Sequence, residues 1–193
     1  MAEKSTETFH PSSKAEWRDW LTKNHDKAHS VWLIFNKVAT GNVNLTWSEA
    51  VDEALCFGWI DSVKRSIDSE KYMQYFGRRK PSSTWSKVNK DKIEKLTAEG
   101  LMCEAGIRSV EIAQQNGNWS ILDDVENLIL PDDLEEQMAK YPDSKIFFSS
   151  LNKAMKKGLL SWIVLAKREE TRKKRIKEII ESTKKGELPK RFQ

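Results

Sequence analysis

Two rhythms of apolar and polar residues run along the chain, and each predicts one kind of element. Apolar side chains spaced three to four residues apart, each run preceded by a Ser or Thr able to cap it, predict helices over 14–24 and 47–57. Runs rich in β-branched and aromatic residues predict strands over 30–37, 59–67 and 71–79. The sequence therefore predicts an α+β fold. It consists of a small antiparallel three-stranded sheet with packed helices, followed by a mostly helical C-terminal region from about 89 to 186.

This change of pattern divides the chain into two parts. We expect an α+β core over 9–120 and a helical C-terminal region over 121–190 that packs on or beside the core, with residues 1–8 as a frayed tail. Apolar positions on the predicted inner faces form the expected core. The side chains expected to be largely buried are Trp17, Trp32, Leu55, Trp59, Val110 and Trp162.

Length and composition narrow the class of protein. No apolar run in the 193 residues approaches the roughly 20 that a membrane span requires, and the first ten residues lack the apolar stretch of a secretory signal. Cys56 and Cys103 are too few for a disulfide framework, and we expect both to be reduced thiols. These features favour a cytoplasmic protein.

Charge is segregated along the chain. The net charge of +4 combines basic segments at 64–95 and 152–193 with an acidic segment at 120–151. A basic surface attracts phosphates, which indicates a nucleic acid or an anionic small molecule as partner. The alternative is that the acidic segment neutralises the basic ones internally.

The stretch EALCFGWID at 53–61 leads from a predicted helix into a strand. Strict alternation places Asp61 and Arg65 on one strand face together with Trp59. One interpretation is an internal Asp61–Arg65 ion pair, because an unpaired buried charge is costly. The other is a cleft in which Arg65 binds an anion. Combining the two interpretations, we expect Asp61 to pair with Arg65 or Arg78 while the remaining arginines line an anion-binding cleft.

A second cluster follows on the predicted hairpin, where aromatic residues alternate with Arg and Lys between 72 and 89. Such a surface is suited to stacking bases and contacting phosphates, and a helix N-terminus beside Arg78 and Arg79 also attracts anions. The alternative is that the rings pack inward and the charges are solvated. The candidate ligand-binding residues are Trp59, Asp61, Arg65, Arg78, Arg79, Trp85 and Asn89.

The basic tail provides a secondary anion-binding candidate. Arg168, Arg172 and Arg175 lie near the start of a predicted helix, with the last two one turn apart. They are placed to bind an external anion or to pair with the acidic segment at 123–136. Internal pairing is the simpler interpretation.

Catalytic and metal-binding signals are weak. Cys56 ends a predicted helix, where the helix dipole disfavours a thiolate. His10, His25 and His29 lack a third ligand at zinc spacing, and the sequence contains no Gly-rich phosphate loop. We therefore assign no catalytic residue, no metal site and no cofactor.

Several stretches, in order along nearly the whole chain, resemble the YdeI/OmpD-associated, bacteriocin-protection-like family. They are the four motifs EALCFGWID (53–61), RRKPSSTWSKVN (78–89), EGLMCEAG (99–106) and WIVLAKREETRKKRI (162–176), together with the N-terminal SKAEWRDWLTKNH (13–25) and SVWLIFNK (30–37). Gly77 stands before Arg78, where the family has Pro. The resemblance implies an association with resistance to antimicrobial peptides and with an outer-membrane porin, and it transfers no reaction.

Three functional hypotheses follow. The first is a non-enzymatic, cytoplasmic, anion-binding protein of a stress or envelope-defence response, whose ligand is a nucleic acid or a phosphate-bearing molecule. The second is a small-molecule enzyme with a pocket around the 53–61 motif and the Arg-rich hairpin. The third is a protein–protein adaptor whose partner docks on the helical tail. The absence of a catalytic constellation favours the first.

Overall fold

The computed structural model describes residues 7–193, so residues 1–6, and with them most of the predicted frayed tail, lie outside the described part. Two compact units are present, one ending at Trp119 and the other spanning 120–193. The first contains β1 (Thr8–Phe9), α1 (Lys14–Asn24), β2 (Ser30–Asn36), α2 (Trp47–Cys56), β3 (Trp59–Ser66), β4 (Lys71–Arg78), α3 (Lys87–Ala98) and α4 (Glu104–Gln115). The second contains α5 (Asp123–Glu126), α6 (Asp132–Ala139), α7 (Pro142–Ser150), α8 (Lys153–Val164) and α9 (Glu169–Thr183).

The α+β class is confirmed, but the sheet differs from the predicted one. It has four strands in the order β1-β2-β4-β3, and β1 runs parallel to β2 while the other pairs are antiparallel. The expectation of three antiparallel strands is therefore wrong by one strand. Because β1 is only two residues long, it has no side-chain pattern to recognise, and backbone hydrogen bonds such as Trp32 N to Glu7 O (2.8 Å) hold it in place.

One face of the sheet, the inner face, is covered by α1 and α2. Every second residue of β2 (Val31, Leu33 and Phe35) is fully buried there. The indole of Trp17 packs edge-on against Phe76 with ring centroids 5.5 Å apart. Burying a large apolar side chain contributes roughly 1.5–3 kcal/mol, so this face supplies much of the core energy of the unit.

The expected core residues divide into two groups. Trp17, Leu55 and Trp59 are buried, as predicted. Trp32, Val110 and Trp162 are only half-buried. Trp32 differs because the register of β2 places it on the opposite face of the sheet from Leu33.

Glycines bring α2 and α4 unusually close together. A Cβ atom on Gly106 would lie 2.2 Å from the carbonyl oxygen of Cys56, and one on Gly58 would lie 2.9 Å from that of Ala105. Gly58 also has φ +71°, a left-handed conformation that ends α2. The Cys103 N–H donates to the Cys56 carbonyl at 3.0 Å across the same contact. The motifs at 53–61 and 99–106 therefore form one packing contact.

An ion pair lies beside this contact. The Glu53 carboxylate, 3% exposed as a residue, accepts from Arg18 Nη1 at 2.6 Å and lies 3.3 Å from Lys14 Nζ. The second terminal nitrogen of Arg18 donates to the Leu101 carbonyl at 2.9 Å. Arg18 thus links α1, α2 and the segment that leads into α4.

A β-bulge interrupts β3. Asp61 is in register with Phe76 and Lys64 with Gln74, so Ser62 and Val63 together lie opposite the single residue Tyr75. Beyond the bulge, each side chain of β3 points to the face opposite to the one that strict alternation predicts. Arg65 therefore lies on the face opposite to Asp61, and the expectation that these two residues share a face is wrong.

The C-terminal unit has a helical core of its own. Its fully buried side chains include Leu134, Met138, Leu159, Leu160, Ile163 and Ile179. Part of the acidic segment is neutralised within the unit, because Arg172 contacts Asp133 and Lys157 contacts Glu126. Over residues 7–193, no helix combines the length and the apolar character that crossing a bilayer requires.

The Arg172–Asp133 pair predicts an acid-sensitive contribution to stability. Hydrogen bonds from Arg172 lower the pKa of Asp133, so the pair stabilises the fold above the ordinary carboxyl pKa and is lost as the pH falls through the lowered pKa. We expect Asp133→Asn to reduce the free energy of unfolding by about 0.5–1 kcal/mol at neutral pH. The effect is small because the Asp133 side chain is 45% exposed and solvent screens the ion pair.

Urea denaturation across the acid range measures this effect. The difference between native protein and Asp133→Asn is expected to shrink steadily below about pH 4. Asp132→Asn, an equal change of charge at the adjacent exposed position of α6, is the matched control. A deficit for Asp133→Asn that stays constant down to strong acid would contradict the role of the ion pair.

Candidate anion-binding cleft

An open cleft of about 520 Å³ lies where the end of β4 passes the contact between α2 and α4. We call it the Arg79 cleft. Its lining includes His25, Trp59, Arg78, Arg79, Arg108 and Ser109. The close approach of α4 at Gly58 and Gly106 brings the first turns of that helix to the cleft.

Arg79 is the unusual residue of the cleft. Its backbone N–H donates to the Gly58 carbonyl at 2.9 Å, which fixes the chain as it leaves β4. The guanidinium lies over Trp85, with Cζ 3.6 Å from the ring centroid, and Nη1 donates to the Thr84 carbonyl at 3.1 Å. The remaining edge, formed by Nε and Nη2, is buried and has no hydrogen-bond partner.

The electrostatic state of Arg79 reflects this burial. Desolvation lowers the pKa of Arg79 to about 10, although the negative charge of Asp61 opposes the shift. The group therefore still carries its positive charge at neutral pH. A buried charge with an unpaired hydrogen-bonding edge is costly, and an anion that accepts from Nε and Nη2 side by side would compensate it.

Two further cations rim the Arg79 cleft. Arg78 is exposed and donates from Nε to the Ala28 carbonyl at 2.8 Å. Arg108 is exposed and contacts Glu104, one helical turn away, at 2.8 Å. With Asp26 also in the lining, three guanidinium groups face two carboxylates. The charge balance of the cleft therefore favours an anion.

Two polar side chains of the cleft donate to backbone carbonyls. His25 Nδ1 lies 2.9 Å from the Leu21 carbonyl, so this nitrogen acts as the donor. The Ser109 hydroxyl donates to the Gly106 carbonyl at 2.8 Å. These two hydrogen bonds hold the side chains against their own helices.

The structure distributes the sequence-predicted site residues over several places. Trp59, Arg78 and Arg79 line the Arg79 cleft, and Trp85 supports the Arg79 guanidinium. Asn89 lies in the first turn of α3, where its N–H is capped by Ser86 at 3.3 Å, and it is not part of the lining.

Asp61 and Arg65 lie outside the cleft and do not pair with each other. Asp61 Oδ2 accepts from Trp47 Nε1 and from Gln74 Nε2, both at 2.9 Å. Arg65 lies over the Trp32 ring at 4.7 Å, on the other face of the sheet. The expectation that Asp61 pairs with Arg65 or Arg78 is wrong, because the bulge in β3 moves Arg65 away and Arg78 bonds to a backbone carbonyl.

The secondary cluster in the tail has internal partners at two of its three positions. Arg172 donates to both carboxylate oxygens of Asp133, at 2.6 and 2.7 Å. Arg175 donates to the Trp162 carbonyl at 2.5 Å and lies 5.4 Å from its ring centroid. Arg168 is exposed.

Sequence reasoning missed His25, Arg108 and Ser109 as cleft residues. No spacing rule joins His25 to residues in α4, since only the packing of α4 on α2 brings them together. One signal was present: Gly106, a glycine near the start of an amphipathic helix, often marks a close backbone approach. The close approach itself was therefore predictable from the sequence, although the element that approaches Gly106 was not.

Fold and cleft together define an α+β protein with a buried arginine edge beside an open, cation-rimmed cleft. The chain belongs to the family described as a domain of unknown function, DUF8412, which matches residues 9–109 and thus just over half of the sequence. A second family, described as Bacteriocin-protection, YdeI or OmpD-Associated, matches residues 127–186. Neither the curated proteins nor the solved structures contain a match.

The family resemblance is thereby confirmed for the C-terminal part alone. Of the four motifs that suggested it, only WIVLAKREETRKKRI at 162–176 lies within the 127–186 match. The other three lie within the segment that matches the first family. The expectation that the YdeI/OmpD-associated resemblance covers the whole chain is corrected accordingly.

Proposed function

We propose that the protein binds a small phosphate-bearing molecule in the Arg79 cleft without transforming it. The observation that carries this proposal is the buried, unpaired Nε–Nη2 edge of Arg79. This edge presents two parallel N–H groups, the geometry that phosphate and carboxylate oxygens accept in pairs. Arg78 and Arg108 at the rim add charge for the same kind of ligand.

Binding to this edge requires a local opening, because the two nitrogens are buried. The Lys80–Pro81 turn, together with Trp85 and Ser109, bounds a small cavity of about 50 Å³ beside Arg79. Such a cavity is large enough for ordered water, and water or a ligand oxygen there would reach the guanidinium after a small shift of the turn.

The biological setting is part of the same proposal. The match to a family named for bacteriocin protection supports a role in a stress or envelope-defence response. Two free cysteines, one of them buried, are consistent with the reducing cytoplasm. We therefore propose a cytoplasmic binding protein that senses or stores an anionic metabolite.

Thermal melting with inorganic phosphate tests the proposal. A ligand at ten times its dissociation constant stabilises the folded state by about 1.4 kcal/mol, which raises the melting temperature by a few degrees. We expect phosphate at millimolar concentration to raise the melting temperature of the native protein, at an ionic strength held constant with chloride.

Arg79→Met separates binding from folding. Removing an uncompensated buried charge is expected to leave the unliganded melting temperature unchanged or to raise it, while the response to phosphate disappears. Arg191→Met, the same change at an exposed arginine of the C-terminal unit, is expected to keep the response. The cleft is refuted as a binding site if phosphate does not change the melting temperature of the native protein. It is also refuted if phosphate still raises the melting temperature of Arg79→Met.

A further inference from the structure

The face of the sheet opposite to α1 and α2 carries a second set of aromatic and basic side chains. The register places Trp32 and Ile34 of β2, Met73 and Tyr75 of β4, and Ile60 and Arg65 of β3 on this side. We call it the outer sheet face. Its apolar members are half-buried, whereas the inner-face residues Val31, Leu33 and Phe35 are fully buried.

Two rings lie at the centre of the outer sheet face. Trp32 and Tyr75 are direct cross-strand neighbours on β2 and β4, the two central strands of the sheet. Their ring centroids are 5.1 Å apart and the rings are nearly perpendicular, at 78°. The two rings therefore lie next to each other on the sheet with their planes steeply inclined.

The Arg65 guanidinium shows that the face of the Trp32 ring is accessible to a planar group. Arg65 is exposed, and its Cζ lies 4.7 Å from the ring centroid of Trp32. A planar cation on an indole occupies the position that a stacked base would take. Because the arginine is exposed, its side chain is free to move from the ring to a neighbouring phosphate.

The charge of the outer sheet face is positive. Besides Arg65, the register places Lys71 on this side, opposite Asn36. The outward positions of the described strands contain no acidic residue; the remaining ones are Thr8, Ser30, Asn36, Gly77 and the bulge residues Ser62 and Val63 opposite Tyr75. This face thus combines stacking rings with cations, whereas the Arg79 cleft is a concave site formed by other residues.

We propose that the outer sheet face binds single-stranded nucleic acid, with bases stacking on Trp32 and Tyr75 and with Arg65 and Lys71 contacting phosphates. Exposed bases are needed for stacking, so a duplex, whose bases are already stacked on each other, is not a ligand of this kind. The proposal rests on the outer sheet face and is independent of phosphate binding in the Arg79 cleft.

Fluorescence anisotropy with labelled oligo(dT) and oligo(U) of about 15 nucleotides at low salt provides the test. We expect binding that weakens as salt is raised, because phosphate contacts release counterions. Trp32→Leu and Tyr75→Leu are each expected to weaken binding about tenfold. Since neither change alters the net charge, the slope of affinity against salt should remain unchanged while the affinity falls.

Tyr72→Leu is the matched control. Tyr72 belongs to the same strand but lies on the inner face, where it stacks on Phe35 with ring centroids 4.9 Å apart. This variant is expected to bind the oligonucleotides as the native protein does. Arg79→Met should also bind them normally, which distinguishes this surface from the cleft. Melting curves establish that each variant is folded, and Tyr75→Leu carries the test if Trp32→Leu is unstable.

Three results would overturn the proposal. They are an absence of binding at low salt, an equal loss of affinity in Tyr72→Leu, and duplex binding as tight as single-strand binding. If phosphate raises the melting temperature but oligonucleotides do not bind, nucleic-acid binding on the outer sheet face is refuted and phosphate binding in the Arg79 cleft is supported. If oligonucleotides bind but phosphate does not raise the melting temperature, phosphate binding in the cleft is refuted and nucleic-acid binding on the outer sheet face is supported.

Discussion

Gly106→Ala is expected to lower the free energy of unfolding by about 3 kcal/mol, at the upper end of the usual cost of overpacking. The added methyl carbon would lie 2.2 Å from the Cys56 carbonyl oxygen, and that oxygen belongs to the backbone at the end of α2. A backbone atom cannot move aside as a flexible side chain does. The two helices must separate, which also disturbs the Cys103–Cys56 hydrogen bond. Chemical denaturation measures the loss.

Gly158→Ala in α8 is the matched control for this prediction. Gly158 also lies inside a helix, but its added methyl group would meet only the side chain of Phe192, at 3.2 Å. Alanine favours a helix over glycine by up to about 1 kcal/mol, so this variant is expected to be neutral or more stable. If Gly106→Ala behaved in the same way, the tight contact between α2 and α4 would be disproved.

Arg18→Met is the second change with a large expected effect, a loss of about 3 kcal/mol. It leaves the buried Glu53 carboxylate with Lys14 as its cation, at 3.3 Å, and removes the donor to the Leu101 carbonyl. The cost arises from the charge that remains buried and from an acceptor that is left unsatisfied. Urea denaturation of the single variant at neutral pH gives the value.

A double variant identifies the cause of this loss. Combining Arg18→Met with Glu53→Leu removes the stranded charge, and replacing both members of a buried pair by apolar groups is often neutral. The double variant is therefore expected to be more stable than Arg18→Met alone. Arg108→Met, which breaks the exposed pair with Glu104, should change stability by less than about 0.5 kcal/mol. A double variant no better than the single one would place the cost in lost packing instead.

Elements with a local cause were predictable from the sequence. The second helix begins where expected, because Thr46 and Glu49 form a reciprocal capping box. The first helix is capped by Ser13 as expected, although Glu16 bonds to Ser12 in place of the Ser13 backbone. Gly58 ends α2 in a left-handed conformation. Each of these features depends on residues within a few positions of one another.

The faces of β3 were not predictable, because one extra residue in a strand reverses every side chain beyond it. Nothing in WIDSVKRS distinguishes a regular strand from a bulged one, since each alternative places apolar and polar residues on both faces. The bulge is visible only through the register with β4. This single irregularity separates Asp61 from Arg65 and turns a presumed pair into members of two different surfaces.

The candidate site was predicted in part for a similar reason. Arg78, Arg79 and Trp85 are close in sequence, and the cluster that they form was recognisable as basic and aromatic. The unpaired edge of Arg79 is a consequence of tertiary packing, because Ser109, Ile112 and Ala113 of α4 lie beside Arg79 only in the folded chain. Spacing rules report neighbours along a helix or a strand and do not report which surface will close over a charge.

The bulge in β3 also affects how the sheet ends. β3 is an edge strand, and a straight, unbroken edge exposes N–H and C=O groups that can pair with a strand of another molecule. Here the ladder is interrupted at Ser62–Val63, and the exposed Lys64 and Arg65 follow directly. Two copies brought together at this edge would meet a kink and facing positive charges. We therefore expect the irregularity to disfavour edge-to-edge pairing of two copies.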